Sequence, residues 1–385
     1  MKKSFKIIVM LISLTAMICS VLICFNSCIE DPEVPSEFTY SINVDKTTCT
    51  LKGTTKTDVV DLVIPEQIDG YTVTRIAPYA FKNSGIATVS LPSTIELIGE
   101  SAFANCSKLQ FVYGLENCTN LKEIKANTFS YCIKLCEVKF PNNIESIGRA
   151  AFLECENLRY VYGLENCTKL TEIKDEAFSN CLNLEKIELP FGLKKIGASA
   201  FISCYENLKS INIPTSVTSI GDYAFAICFS LKSIEIPASV ENIGHLAFYF
   251  CTDMEEIKVD SKNPYWASSN GVLYTKDMKT LHTFPSGKKC AEFVVPDGVT
   301  TIFRNAFSLP TYLQIISLPD SIEKISSEII YDAHGYSHLS TIFYSGTVEM
   351  WGKIAKASDW DKDSLDYIIF CTDGQISKDG TVTYN

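Results

Sequence analysis

The sequence predicts a repeat solenoid: one main parallel β-sheet, short helical turns opposite it, and β-rich caps at the two ends. Three observations carry this. The pattern Ile-x-x-x-Ala-Phe, once with Thr in place of Ala, recurs from Ile76–Phe81 through Ile98–Phe103, Ile124–Phe129 and onward to Ile302–Phe307. Between Phe81 and Phe248 the recurring Phe residues stand 22, 26, 23, 26, 23, 24 and 23 residues apart. Each interval holds an apolar/polar alternation that proline closes in most copies, at Pro92, Pro141, Pro190, Pro214, Pro237 and Pro319. A fixed period of this length is the signature of stacked units, none of which can bury its apolar side alone.

The elements of one unit follow in order. Leu208-Lys209-Ser210-Ile211-Asn212-Ile213-Pro214 has Ile211 and Ile213 alternating with polar residues, which reads as a half-buried strand. Proline has no N–H to donate and ends the strand. Val217-Thr218-Ser219-Ile220-Gly221 gives a second short extended piece. Asp222-Tyr223-Ala224-Phe225-Ala226-Ile227-Cys228 reads as a helical turn, with Phe225 and Cys228 on one face. Between Phe248 and Phe307 lies a degenerate unit around Gly271-Val272-Leu273-Tyr274 and Leu281-His282-Thr283-Phe284-Pro285, and a worn copy follows at Ile325–Ile330. About 10–11 coils at a strand spacing of about 4.8 Å would make a face about 50 Å long.

The motif I-G-x-x-A-F-x-x-C-x-x-L-x-x-I-x-I-P resembles the BspA-like leucine-rich repeat family of bacterial surface proteins, from about Phe38 to Gly374. Asp61-Leu62-Val63-Ile64-Pro65 with Ile68-Asp69-Gly70-Tyr71 resembles the family's opening segment. Tyr344-Ser345-Gly346-Thr347, Trp351, Trp360 and Phe370-Cys371-Thr372-Asp373-Gly374 resemble its closing segment. The resemblance implies a leucine-rich-repeat-like right-handed coil and a role in surface adhesion or protein binding. The expected organisation is a lipoprotein signal at 1–27, a flexible tether at 28–37, an N-terminal cap at 38–75, a solenoid at 76–345 and a C-terminal cap at 346–385.

The first residues, MKKSFKIIVMLISLTAMICSVLICFNSC, place three lysines before an apolar run from Ile7 to Phe25. That is the layout of a secretory signal; the alternative is a single membrane-spanning anchor. Phe25-Asn26-Ser27-Cys28 resembles the lipobox of bacterial lipoproteins, with Phe25 in place of the usual Leu, and the resemblance implies lipid on Cys28. The acidic, proline-bearing stretch Ile29 to Glu37 offers little to fold around and reads as a tether. It also resembles the signal that sends some lipoproteins to the outer face of the outer membrane. The expected location is therefore the cell envelope, as a surface-exposed outer-membrane lipoprotein held by its N-terminal lipid.

With 34 Lys+Arg against 45 Asp+Glu, the net charge of -11 argues against nucleic acid as a partner. Seven of the sixteen cysteines, Cys106, Cys132, Cys155, Cys181, Cys204, Cys228 and Cys251, each follow the repeat Phe by three residues. One slot filled alike in coil after coil reads as a column of buried thiols; disulfides between adjacent coils are the alternative, and seven cannot all pair. No metal or cofactor is expected. His334 and His338 with Asp332 form H-x-x-x-H, but they fall in a turn. The chain lacks G-x-S-x-G, H-E-x-x-H and a phosphate-binding glycine loop, so no enzyme is expected.

Residues on either side of the middle Ile of a strand point outward. Those positions hold Phe111 and Tyr113, then Glu137 and Lys139, then Tyr160 and Tyr162, and beyond them polar or charged pairs. Exposed rings are efficient anchors for a partner; they could also merely stack on each other or on the Lys139 stem. Next to each aromatic pair stands VYGLENCT, at Val112–Thr119 and again at Val161–Thr168, where the interval from strand Leu to the next Phe takes 20 residues instead of 17. The extra residues make two enlarged corners, rimmed by Glu116, Asn117, Glu165 and Asn166 and about 10 Å apart. Asn117 and Asn166 also begin N-x-T sequons, and Asp363-Ser364-Leu365 resembles a bacterial surface O-glycosylation site. The expected partner is a host or bacterial surface protein; the alternatives are a glycan stacked on the same rings, or a structural spacer with no site.

Overall fold

The computed structural model describes residues 37–330, 338–362 and 364–385, and all that follows concerns the unit Phe38–Asn385. It is a β-solenoid of about 14 turns with very little helix. Its longest sheet is built from the short extended piece that ends in the repeat isoleucine. Ile76, Ile98, Ile124, Ile147, Ile173, Ile196, Ile220 and Ile243 stand in register, each paired in parallel with the next. Seven of the eight are 1% exposed or less, so one column of isoleucine fills one corner of the core.

Glycine follows five of these isoleucines, Ile98, Ile147, Ile196, Ile220 and Ile243, and there it is required by distance. A Cβ on Gly148 would lie 2.5 Å from Ala126 N, and on Gly244 2.3 Å from Asp222 N. The coils approach too closely there for a side chain.

The strands that carry the L-x-x-I-x-I pattern form separate, shorter parallel sheets. One joins Asp61–Val63, Thr88–Ser90 and Phe111–Tyr113; another joins Glu137–Lys139, Tyr160–Tyr162 and Lys186–Ile187; a third joins Ser233–Ile236 and Glu256–Val259. Leu208–Pro214, expected to be such a strand, buries Ile211 and Ile213 but forms no paired strand. Four residues separate Cys204 from Leu208, where three separate Cys181 from Leu184 and Cys228 from Leu231. The extra residue puts this coil out of step with its neighbours.

On the third side, the Ala-Phe-x-x-Cys segment is a run of turns rather than the expected helical turn. Ser101 and Asn105 flank Phe103 with φ of 54° and 59°, and Tyr223 and Ile227 flank Phe225 with φ of 55° and 60°. Left-handed residues of this kind end an α-helix, at roughly 1–2 kcal/mol each. The offset comes from bonds between coils: Phe103 N–H donates to Thr128 O at 3.0 Å, Phe152 to Ala177 at 2.8 Å, and Phe225 to Ala247 at 2.8 Å. Donors that a helix would use internally are thus spent on the next coil.

The repeat phenylalanines stack face to face from Phe81 to Phe248, with centroids 5.2–6.0 Å apart. The seven cysteines three residues on are fully buried free thiols. Each S–H donates to the carbonyl of the preceding coil's Phe, from Cys106 to Phe81 at 3.1 Å through Cys251 to Phe225 at 3.1 Å. Burial pushes the Cys132 and Cys155 thiols well up, so they stay protonated donors.

The buried residues fall into two clusters, Cys49 to Leu273 and Val272 to Ile369. The junction is the degenerate unit, which folds into the antiparallel strands Trp266–Ser269, Val272–Thr275 and Thr280–Thr283. Parallel pairing runs past the expected solenoid limits: Thr48–Thr54 pairs with Tyr71–Ile76, and Lys324–Ile325 with Ala355–Lys356. Antiparallel strands close both ends, Phe38–Ile42 at one, Gly374–Ser377 and Val382–Tyr384 at the other. They cover edges that would otherwise invite pairing with another chain. The C-terminal end also carries the α-helix Val348–Lys353, capped by the Thr347 hydroxyl, which accepts from Met350 N at 3.2 Å.

Candidate binding surface

The two aromatic pairs stand on one face, as the alternation predicts. In Phe111–Tyr113 and Tyr160–Tyr162 the middle valine is buried and the flanking rings face outward. Glu137–Lys139 lies between these strands in the repeat and is hydrogen-bonded to the second, with Glu137 opposite Tyr160 and Lys139 opposite Tyr162. Tyr113 is 51% exposed and Tyr162 37%, while Phe111 and Tyr160 are half-buried.

Each pair stacks on itself. The Phe111 and Tyr113 centroids are 5.8 Å apart with ring planes 18° from parallel, and those of Tyr160 and Tyr162 are 5.9 Å apart at 22°. Offset stacking of this sort adds about 0.5–1.5 kcal/mol and holds the rings in place. The second pair is also anchored. Tyr160 donates its hydroxyl to Glu185 at 3.1 Å, Arg159 pairs with the same carboxylate at 2.9 Å, and the guanidinium sits 5.5 Å from the Tyr160 ring centre. The bond to Glu185 raises the Tyr160 pKa, and Arg159 in turn lowers that of Glu185. Neighbouring cations are engaged along the same strands, Lys139 with Glu137 at 3.1 Å and Lys186 with Glu188 at 2.9 Å.

The enlarged corners have a partly structural role. Each is a 3-10 turn, Leu115–Asn117 and Leu164–Asn166. Gly114 and Gly163 enter these turns with φ of 80° and 81°, and a Cβ there would meet Leu91 O at 2.3 Å or Phe140 O at 2.4 Å. Leu115, Cys118, Leu164 and Cys167 are fully buried, so the added residues fill core. Glu116, Asn117, Glu165 and Asn166 remain exposed and form the rim. Cys118 and Cys167 are free thiols. Burial pushes their pKa values up to about 12 and about 11.

Other sequence-level candidates fare differently. Ser364 is 9% exposed and its hydroxyl donates to Asp361 O at 2.7 Å, so it is no acceptor for a surface glycan in the folded chain. Cys28, Asp332 and His334 lie outside the described residues, whereas His338 is exposed. Among the described residues no group of three or more His, Cys, Asp or Glu side chains could hold a metal ion.

Reading strand positions alone missed a second aromatic row on the turn side. Tyr205 stacks on Phe229 at 4.9 Å, and Phe229 meets Phe250 edge-on at 5.1 Å. Its signal is an aromatic residue directly after the repeat cysteine in two successive coils, Cys204-Tyr205 and Cys228-Phe229.

Solved structures share this fold. A leucine rich cell surface protein from Faecalibacterium prausnitzii superposes with a TM-score of 0.58 at 24% identity, over 84% of this chain and 97% of that one. A leucine-rich repeat protein from Bacteroides ovatus gives 0.47 at 23% identity, over 88% and 99%. No curated protein matches the chain. The model of the BspA type leucine rich repeat region matches in six copies, over residues 57–172, 165–270 and 280–354. The chain belongs to the BspA type leucine-rich repeat family.

Proposed function

We propose that this chain is a non-catalytic surface scaffold whose ring pairs, Phe111 with Tyr113 and Tyr160 with Tyr162, dock a protein on a host or neighbouring microbial cell. The observation that carries this reading is two outward ring pairs, each stacked and one pinned by Glu185 and Arg159. Rings held in one geometry lose little entropy when a partner covers them. The acidic rim at Glu116 and Glu165 suits a partner that presents lysine or arginine beside an apolar pocket.

A screen of the mature domain against glycans and against extracellular-matrix and bacterial surface proteins, repeated with Tyr160→Ala/Tyr162→Ala, tests it. Loss of protein binding by about tenfold or more, with the melting temperature kept, is the expected result. Unchanged binding would overturn the ring assignment, and loss of binding to sugars alone would replace the protein partner with a glycan. Display at the surface rests on the signal-like N-terminus and on lipid at Cys28. Cys28→Ser should abolish incorporation of labelled fatty acid; continued labelling would sink the anchor.

A further inference from the structure

Among the described residues, the run of Ala-Phe-x-x-Cys turns breaks at one degenerate coil. Tyr223 N–H donates to His245 O at 2.9 Å and Ile227 N–H to Tyr249 O at 2.6 Å, continuing the ladder as far as the turn at His245–Cys251. The following coil is the degenerate Leu281-His282-Thr283-Phe284-Pro285, which has no Ala-Phe-x-x-Cys segment. From within that coil, bonding to the next one continues, with Phe284 N–H donating to Ala306 O at 2.8 Å. A missing turn leaves a notch of about 300 Å³ between Tyr223, His245 and Tyr249 on one side and Arg304, Asn305 and Glu328 on the other.

The notch is built from polar groups held in place. His245 Nε2 lies 2.9 Å from Asn305 Oδ1, bridging residues 60 apart in the chain, and Asn305 Nδ2 donates to Glu328 O at 3.2 Å. The Glu328 carboxylate is only 16% exposed and pairs with Arg304 at 3.2 Å and Lys362 at 3.7 Å. Tyr223 meets the His245 ring edge-on at 5.9 Å and is 37% exposed. Next to the notch is a recess of about 20 Å³, which also borders Leu246, Tyr249, Arg304 and Asn305. Ser308 lines it, 6% exposed, and its buried hydroxyl has no hydrogen-bond partner.

These groups select a ligand chemistry. A bare anion would meet the Glu328 carboxylate between its two cations. An apolar ligand would strip water from Asn305, Glu328 and Arg304 and return nothing. Hydroxyl groups donate and accept at once, so a ring carrying several of them satisfies cation and carboxylate together while its C–H face lies on Tyr223. The volume stands at the lower end for small-molecule sites, enough for one or two sugar rings. We propose that the notch between the His245–Cys251 turn and Arg304–Asn305 binds a neutral saccharide unit. This site is separate from the ring pairs and does not depend on them.

Calorimetric or saturation-transfer titration of the mature domain with methyl glycosides of hexoses and N-acetylhexosamines, and with their disaccharides, tests the proposal. The expected result is saturable binding of at least one sugar, weakened about tenfold by Arg304→Gln, weakened also by Tyr223→Ala, and unchanged by Tyr113→Ala on the strand face. Both notch variants alter exposed side chains, and an unchanged melting temperature confirms that they fold. The proposal is overturned if no sugar saturates, if binding ignores Arg304→Gln and Tyr223→Ala, if Tyr113→Ala removes it, or if only phosphate or citrate binds.

Discussion

His282 shows how one residue records its place in the stack. It is 7% exposed, stacked on Phe303 at 4.6 Å and met edge-on by Trp266 at 4.9 Å. Burial pushes its pKa down to about 4, with the nearby His245 adding to the shift. Between the ordinary value near 6.5 and about 4, the unfolded chain takes up a proton that the folded chain refuses. Stability therefore falls as pH drops through that window, by up to about 3 kcal/mol from this group. Urea unfolding at pH 7 and pH 4.5, compared between the native chain and His282→Gln, should show a smaller loss in the variant; equal losses would contradict the assignment. The cysteine column was legible at this scale, because one slot holds the same residue in coil after coil. The acceptor, the Phe carbonyl one coil earlier, was not legible, because spacing along a chain does not say which backbone group lies alongside.

Among the elements, alternation found Glu137–Lys139 and Tyr160–Tyr162 correctly. It could not tell which strand of a coil would form the longest ladder. That ladder runs through the repeat isoleucine, and in the five coils where glycine follows it successive coils approach closely, as Gly148 does against Ala126. The helical reading of Asp222–Cys228 rested on the i, i+3 placement of Phe225 and Cys228. Both residues do face the core, but through turns with left-handed residues at Tyr223 and Ile227. An i, i+3 contact is common to both geometries, and only the inter-coil acceptor at Ala247 separates them. Counting residues put the extra residues after the strand; the 3-10 turns there bury Leu115 and Leu164, a packing role that counting did not reveal. The ring pairs were legible as outward-facing; which ring stacks on which is set by side-chain torsions that no pattern encodes.

For the whole molecule, cohesion comes from columns that run across coils: isoleucine in the long sheet, phenylalanine on the turn side, and thiols beneath it. Such a chain holds together by nearest-neighbour contacts, and its ends need caps. Here the two ends carry antiparallel strands. The degenerate unit, where the two core clusters meet at Val272 and Leu273, also breaks the run of turns beside the notch at Arg304. The ring pairs and the notch both depend on this regularity, one as a display on it and the other as a break in it. Amide hydrogen exchange at the repeat phenylalanines reads the central claim directly, since Phe129, Phe152, Phe178 and Phe201 each donate to the next coil. The inter-coil ladder predicts that these amides exchange as slowly as those of Ile147, Ile173 and Ile196 in the long sheet. Rapid exchange at the phenylalanines while the isoleucines stay protected would contradict it.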